Sequence, residues 1–237
     1  MSATPEDPTP GRPSLLLAVP LQLRLFCEPF RRRAQRARLA AAPRGAGEIV
    51  VVLPGMGMGD FSTGTLRRYL RRQGFDARGW DLGRHRPEIW KTLPRMLARL
   101  EELAADRGAP VALVGWSLGG VVARELARLR PDLVRCVVTL GAPVVGGLRH
   151  TAIAGLFRVQ GWDLDDVARR VEAANRVPIR VPVTAIWSRR DGIVDWRAAV
   201  DRTTPGVENV EVGSCHWGLG LDPDVLERVA RALAVRK

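Results

Sequence analysis

Six short apolar runs, most of them followed by a stretch of helical spacing, constrain this chain more than any other feature. IVVVLP (49–54) is rich in β-branched residues and stops at glycines, as a strand buried on both faces does. FDARGWDL (75–82), VALVG (111–115), VRCVVTLGAP (134–143), VPVTAIWS (181–188) and VENVEVG (207–213) read as the other five strands. Between them, TLRRYLRRQG is a helix that Ser62 or Thr63 would cap and Gly74 would end. Further helices are expected over Ile89–Ala105, Leu118–Leu129, about Asp163–Ala174 and Pro223–Ala234. Strands alternating with helices imply an α/β class: a doubly wound, mostly parallel six-stranded sheet with helices on both faces. In such sheets the chemistry collects at the carboxyl ends of the strands.

At 237 residues, one such domain accounts for most of the chain. Residues 1–13 are polar and proline-rich and read as a disordered tail. Residues 14–44 form an amphipathic, basic helical segment, and residues 45–237 the α/β domain with an insertion at about 144–180. The apolar part of the N-terminal segment is broken by Pro20 and Arg24 and is too short to span a bilayer. Its charges follow the apolar run, the wrong side for a signal peptide. It reads as a helix packed on the domain; peripheral membrane contact through residues 14–38 is the alternative.

The net charge of +12 raises the question of nucleic acid. All the cations but Lys91 and Lys237 are arginines, spread through every segment without a recognised binding module. No nucleic-acid role is expected. Cys27, Cys136 and Cys215 have neither disulfide-framework nor zinc-site spacing, so no metal is expected. They favour a reducing compartment, hence a cytoplasmic protein, with membrane association as the variant.

GWSLGG (115–120) is the most informative short stretch. Gly115-x-Ser117-x-Gly119 lies between an apolar strand and a helix, where a tight turn needs small neighbours and lifts a serine hydroxyl above the sheet. A serine is a nucleophile only with a base. Of the three histidines, His216 follows the last strand and so stands in the chain order serine, acid, histidine. His85 would line a mouth or sit on the surface, and His150 has no strand behind it. Asp191, in WSRRDGIVDW, is the first choice to orient His216; Asp195 competes, or caps the helix beginning at Trp196. Leu118 and Met56 are the expected oxyanion donors through their backbone N–H groups, with Gly55 and Gly57 letting the backbone approach a ligand. A phosphate-binding loop is not supported, because neither GK[ST] nor GxGxxG spacing is present.

With PGMG, GWSLGG, WSRRDGIVDW and GSCHWGL in this order, the chain from about Ile49 onward resembles the α/β-hydrolase family, and within it the compact bacterial lipases and esterases. It departs in carrying Pro54-Gly55 where the family often has His-Gly. It also lacks the first two strands of the full-length fold, as compact lipases do. The resemblance implies a minimal α/β-hydrolase fold with Ser117 as nucleophile, His216 as base and acid, Asp191 as its orienter, and Met56 and Leu118 as oxyanion donors. It further implies hydrolysis of a small-molecule ester or lipid-like acyl substrate without a cofactor. Gly55, Trp116, Phe157 and Trp217 are candidate substrate contacts. The insertion is either a lid or an element packed on the domain. A thioesterase, an acyltransferase, and a catalytically silent binding protein are the alternative readings.

Overall fold

The computed structural model describes residues 9–86, 88–159 and 161–234, and the side chains of these apart from 15–17. The N-terminal segment folds as α1 (Leu15–Gln22), a 3₁₀ turn (Leu23–Cys27), α2 (Glu28–Ala34) and α3 (Arg36–Ala40). The domain then runs β1 (Ile49–Leu53), α4 (Gly64–Arg72), β2 (Asp76–Gly79), α5 (Ile89–Arg107), β3 (Val111–Trp116), α6 (Leu118–Leu129) and β4 (Val134–Leu140). After the insertion helices α7 (Ala154–Val159) and α8 (Leu164–Asn175) come β5 (Val183–Trp187), α9 (Trp196–Ala199), β6 (Glu208–Glu211) and α10 (Pro223–Ala234). The sheet order is β2-β1-β3-β4-β5-β6, with every pair parallel.

Strand side chains alternate between the two faces. Val51, Leu53 and Leu113 pack on the face covered by α5, α6 and the insertion; Val50, Val52 and Val114 pack on the face covered by α4 and α10. The central strands are therefore apolar throughout, whereas the edge strand β6 carries Glu208, Asn209 and Glu211 and is largely exposed. Since β1 is followed by β2 on one side and β3 pairs on its other side, the winding reverses between β1 and β3. A crevice opens at such a point, at the carboxyl ends of the strands.

Three local expectations need correction. The second strand stops at Gly79 because the Asp60 carboxylate accepts from the N–H groups of both Trp80 and Asp81, drawing them out of the ladder. Neither Ser62 nor Thr63 caps α4 with its side chain: residues Asp60–Thr63 form a 3₁₀ turn, and the two hydroxyls donate back to the Gly59 and Asp60 carbonyls. Of the expected tail, residues 1–8 lie outside the described residues, but Gly11 N–H donates to Asp195 and Arg12 to the Arg149 carbonyl. Among the described residues no helix is long and apolar enough to cross a membrane.

Candidate active site

Strand register brings the candidate residues to one rim. Leu53 pairs with Gly115 and Trp116 with Leu140, while Leu140 pairs with Ile186 and Trp187 with Glu211. The first residues beyond β3 and β4 are Ser117 and Gly141; Asp191 and His216 follow a few residues beyond β5 and β6. Residues 74 and 25 positions apart in the chain are thus delivered to the same edge of the sheet.

Ser117 has φ 53° and ψ −120°, a backbone conformation that a non-glycine residue rarely adopts. It is held there from both sides: its N–H donates to the Leu140 carbonyl at 2.8 Å, and its own carbonyl accepts from Gly120 at 2.9 Å. The turn is possible only because its flanks lack side chains. A Cβ on Gly115 would collide with the backbone of Gly119 and Gly120, and one on Gly119 would lie 2.5 Å from the Leu53 carbonyl oxygen. Helix α6 starts at the next residue, so Ser117 sits at a helix N-terminus whose opening N–H groups, Leu118 first, have no partner within the helix. That end of the dipole favours negative charge.

His216 and Asp191 form a buried pair, with Nδ1 of the ring 2.7 Å from Oδ2 of the carboxylate. The other oxygen, Oδ1, accepts from the N–H groups of Ile193 and Val194 at 3.0 and 2.6 Å. A carboxylate that accepts through both oxygens is fixed in orientation. The backbone closes the same unit, since His216 N–H donates to the Asp191 carbonyl at 2.9 Å. Asp195 makes no such contact; its carboxylate caps α9 by accepting from Arg197 N–H. Among the described residues no hydrogen bond joins Ser117 Oγ to His216, a bond that in many hydrolases tightens only when substrate arrives.

Gly55 lies beside the serine: a Cβ there would sit 3.5 Å from Ser117 Cβ. Met56, the next residue, is half-buried, and no described residue accepts from its N–H. Trp116 is buried and donates its indole N–H to the His216 carbonyl at 3.2 Å, which makes it a brace for the histidine loop. Phe157 is buried in the core with Leu148 and Leu164, while its neighbours Leu156 and Val159 stand exposed. The insertion is bound to the acid loop by a Thr151–Val194 bridge and by bonds from Ala152 N–H to Ile193 and from Asp195 N–H to His150. Trp217, half-exposed, follows the histidine at the rim.

Two residues of this site, Gly141 and Gln22, were not singled out from the sequence, and a third, His85, lies elsewhere than expected. Gly141, at φ 54°, leaves the space the pair occupies: a Cβ there would lie 2.7 Å from Asp191 Oδ2 and 3.2 Å from His216 Nδ1. Its place directly after a buried strand was the available signal. Gln22, buried on α1, donates to the Asp191 carbonyl at 2.8 Å and accepts from Trp217 N–H at 3.0 Å, joining the acid and histidine loops. Nothing local in the sequence marks it. His85 is neither at a mouth nor on the surface: it is buried against Trp80, with Nδ1 2.7 Å from the Pro54 carbonyl oxygen. Its backbone exchanges bonds with Gly57 and Met58, so the loop that carries Met56 is clamped from three points. Burial lowers the His85 pKa from its ordinary value, only partly opposed by the bond to Pro54, and the ring is kept neutral. Among the described residues no group of three His, Cys, Asp or Glu side chains is placed to hold a metal.

The profile of the α/β-hydrolase fold matches residues 50–173. No curated protein sequence matches the chain. Solved structures match over most of its length. A metagenome-derived lipolytic enzyme, described with a second one as LipS and LipT, superposes with a TM-score of 0.61 at 16% identity, over 83% of this chain and 96% of its own. A lipase from Bacillus licheniformis in its mature form also gives 0.61 at 16%, over 82% and 94%. The thioesterase domain of a curacin biosynthetic pathway gives 0.55 at 14%, over 82% and 93%. At these identities the likeness is one of fold, and the activity has to be argued from the site.

Proposed function

The chain belongs to the α/β-hydrolase fold family, and on that premise we propose that it is a serine hydrolase of carboxylic esters, esterase- or lipase-like. The observation that carries the proposal is the buried His216–Asp191 pair facing the same rim as a serine held at φ 53°. Strain of that kind persists only where the surrounding structure enforces it, and it is characteristic of functional sites.

In the proposed reaction Ser117 Oγ attacks the ester carbonyl carbon while Nε2 of His216 takes the hydroxyl proton. Asp191 holds the ring by Nδ1 and stabilises the imidazolium that forms. The carbonyl oxygen, now negative, accepts from the N–H groups of Met56 and Leu118. Collapse of the tetrahedral intermediate breaks the C–O bond, and the alcohol leaves with the proton from His216. Water then attacks the acyl-serine, giving its proton to His216, and the acid is released as Ser117 recovers its hydrogen. In each half His216 takes up one proton and passes it on, to the alcohol in the first and to Ser117 in the second, so the cycle balances without a cofactor.

The thioesterase reading uses the same steps with a thiolate leaving group, and the thioesterase domain among the structural neighbours favours keeping it. The three cysteines, none of them in a disulfide, suit a reducing, cytoplasmic setting. The N-terminal segment, residues 14–38, would bring the enzyme to a lipid-like substrate as a peripheral membrane contact.

Hydrolysis of aryl esters graded in acyl length, set beside the matching acyl thioesters, tests the proposal. Turnover of esters that drops at least about 10⁴-fold in Ser117→Ala is expected. A folded wild type inert to both series would contradict it, and thioester turnover alone would select the second reading.

A further inference from the structure

We propose that the outward face of the N-terminal helices is a docking surface for an anionic lipid bilayer. The inference deepens the lipid-contact part of the proposed function and rests on it for the nature of the surface, but not on catalysis.

The inward face of this segment is fully committed. Gln22 holds the acid and histidine loops, and Arg31 pairs with buried Glu28 and with Asp222 and Asp224 at the start of α10. Arg38 pairs with Asp224 and Glu227. The opposite face has no such employment. Val19, Leu23, Phe26 and Phe30 recur at intervals of four, three and four residues, and all four stand out in solvent. Phe26 and Phe30 are 71% and 76% exposed. Large apolar side chains exposed at this spacing on a folded domain mark a surface meant to be covered.

The charges beside it name the cover. Exposed Arg33 lies three residues after Phe30, within reach on the same helical face, and Arg24 lies between Leu23 and Phe26. Arg33, Arg36, Arg44, Arg68 and Arg72 line one groove between α2–α3 and α4, and no carboxylate among the described residues pairs with any of them. Adjacent arginines without acidic partners repel one another, and an anionic partner relieves that repulsion. A second copy of this chain, at net charge +12, would bring the same arginines together and worsen it. Aliphatic and aromatic side chains flanked by guanidinium groups suit the boundary between headgroups and acyl chains, where the rings insert and the arginines reach phosphate. Since Gln22 ties the other side of α1 to Asp191 and Trp217, a bilayer on this face would lie next to the candidate active site.

The test is co-sedimentation of full-length Ser117→Ala with vesicles of phosphatidylcholine alone or mixed with phosphatidylglycerol, across a salt series. Binding to the mixed vesicles, weakening as salt rises, is expected. Phe26→Ser/Phe30→Ser should lower partitioning about 100-fold. Arg33→Gln/Arg36→Gln should lower it about 5-fold per arginine and blunt the salt dependence. Both double variants made in the wild-type background should turn over a soluble short-chain aryl ester as wild type does. The inference is overturned if the protein ignores the mixed vesicles, or if either double variant binds them unchanged. It is also overturned if light scattering shows a dimer that the phenylalanine variant dissolves, or if a single-stranded oligonucleotide binds this face and vesicles do not. Vesicle binding by a protein inactive on every ester would leave the docking surface standing and remove only the catalytic reading.

Discussion

His216 and His85 are both buried, both follow a strand at the carboxyl edge of the sheet, and both have Nδ1 2.7 Å from an oxygen. They differ in what that oxygen is. For His216 it is a carboxylate oxygen of Asp191; for His85 it is the Pro54 carbonyl, which can accept a bond but is not an ionisable group. Burial among Trp80 and the β1 loop then holds the His85 ring neutral. The same side chain with the same bond length thus becomes a candidate proton carrier in one loop and a clamp in the other. The charge of the partner decides the role.

The largest effect that sharpens this contrast is expected from Asp191→Asn. It removes the charge but keeps the size, and kcat should fall about 10⁴-fold, as when a triad carboxylate is neutralised elsewhere. Retention of most of the activity would break the comparison from the His216 side.

An intermediate effect is expected at the clamp. His85→Ala frees the loop that presents Met56, and kcat should fall about 10²-fold with KM little altered, the scale of losing one oxyanion donor. His85→Asn, which can still donate toward Pro54, should recover part of that loss, whereas a merely space-filling role would be rescued by His85→Leu instead. The clamp also has a pH signature. Because the folded-state pKa of His85 lies below its unfolded value, its contribution to stability is complete above the unfolded pKa of about 6.5 and is lost as the pH falls through the folded one. Chemical denaturation from neutral pH downward should show this loss in wild type and a reduced slope in His85→Leu. An unchanged slope would mean that the ring is not titrating as a buried neutral group.

The smallest effect is expected at Gln22, which touches the pair only through backbone groups. Gln22→Ala should cost about 1–2 kcal/mol of stability by leaving the buried Asp191 carbonyl and Trp217 N–H short of partners. Ester turnover should slow by less than about 10-fold. A loss as deep as that of Asp191→Asn in a folded variant would promote Gln22 from brace to a part of the reacting unit.

What the sequence revealed and what it hid follow one physical division. Groups that depend on a strand end are legible, because apolar runs locate the strands and parallel winding locates their carboxyl ends. Ser117, Asp191 and His216 are located in this way, and the glycines flanking Ser117 announce the close approach of β3 and α6. Groups that depend on packing between distant segments left no local mark. Gln22 looks like any polar residue in an apolar helix, and the burial of His85 depends on Trp80 and on a loop 31 residues earlier. The arginine-rich run after α1 was read as a block, yet Arg31 and Arg38 face acids on α10 whereas Arg33 and Arg36 face solvent. Helical spacing alone does not fix that choice when the helix is broken at Gln35.

The central claim is that Ser117 is activated by His216. Its most direct test is reaction of the purified protein with a fluorophosphonate, with the adduct located by peptide mass spectrometry in wild type, His216→Ala and Asp191→Asn. The account predicts one adduct on Ser117 in wild type, none in His216→Ala, and a greatly slowed reaction in Asp191→Asn. An adduct on another residue, or Ser117 labelling at an equal rate in all three proteins, would contradict it.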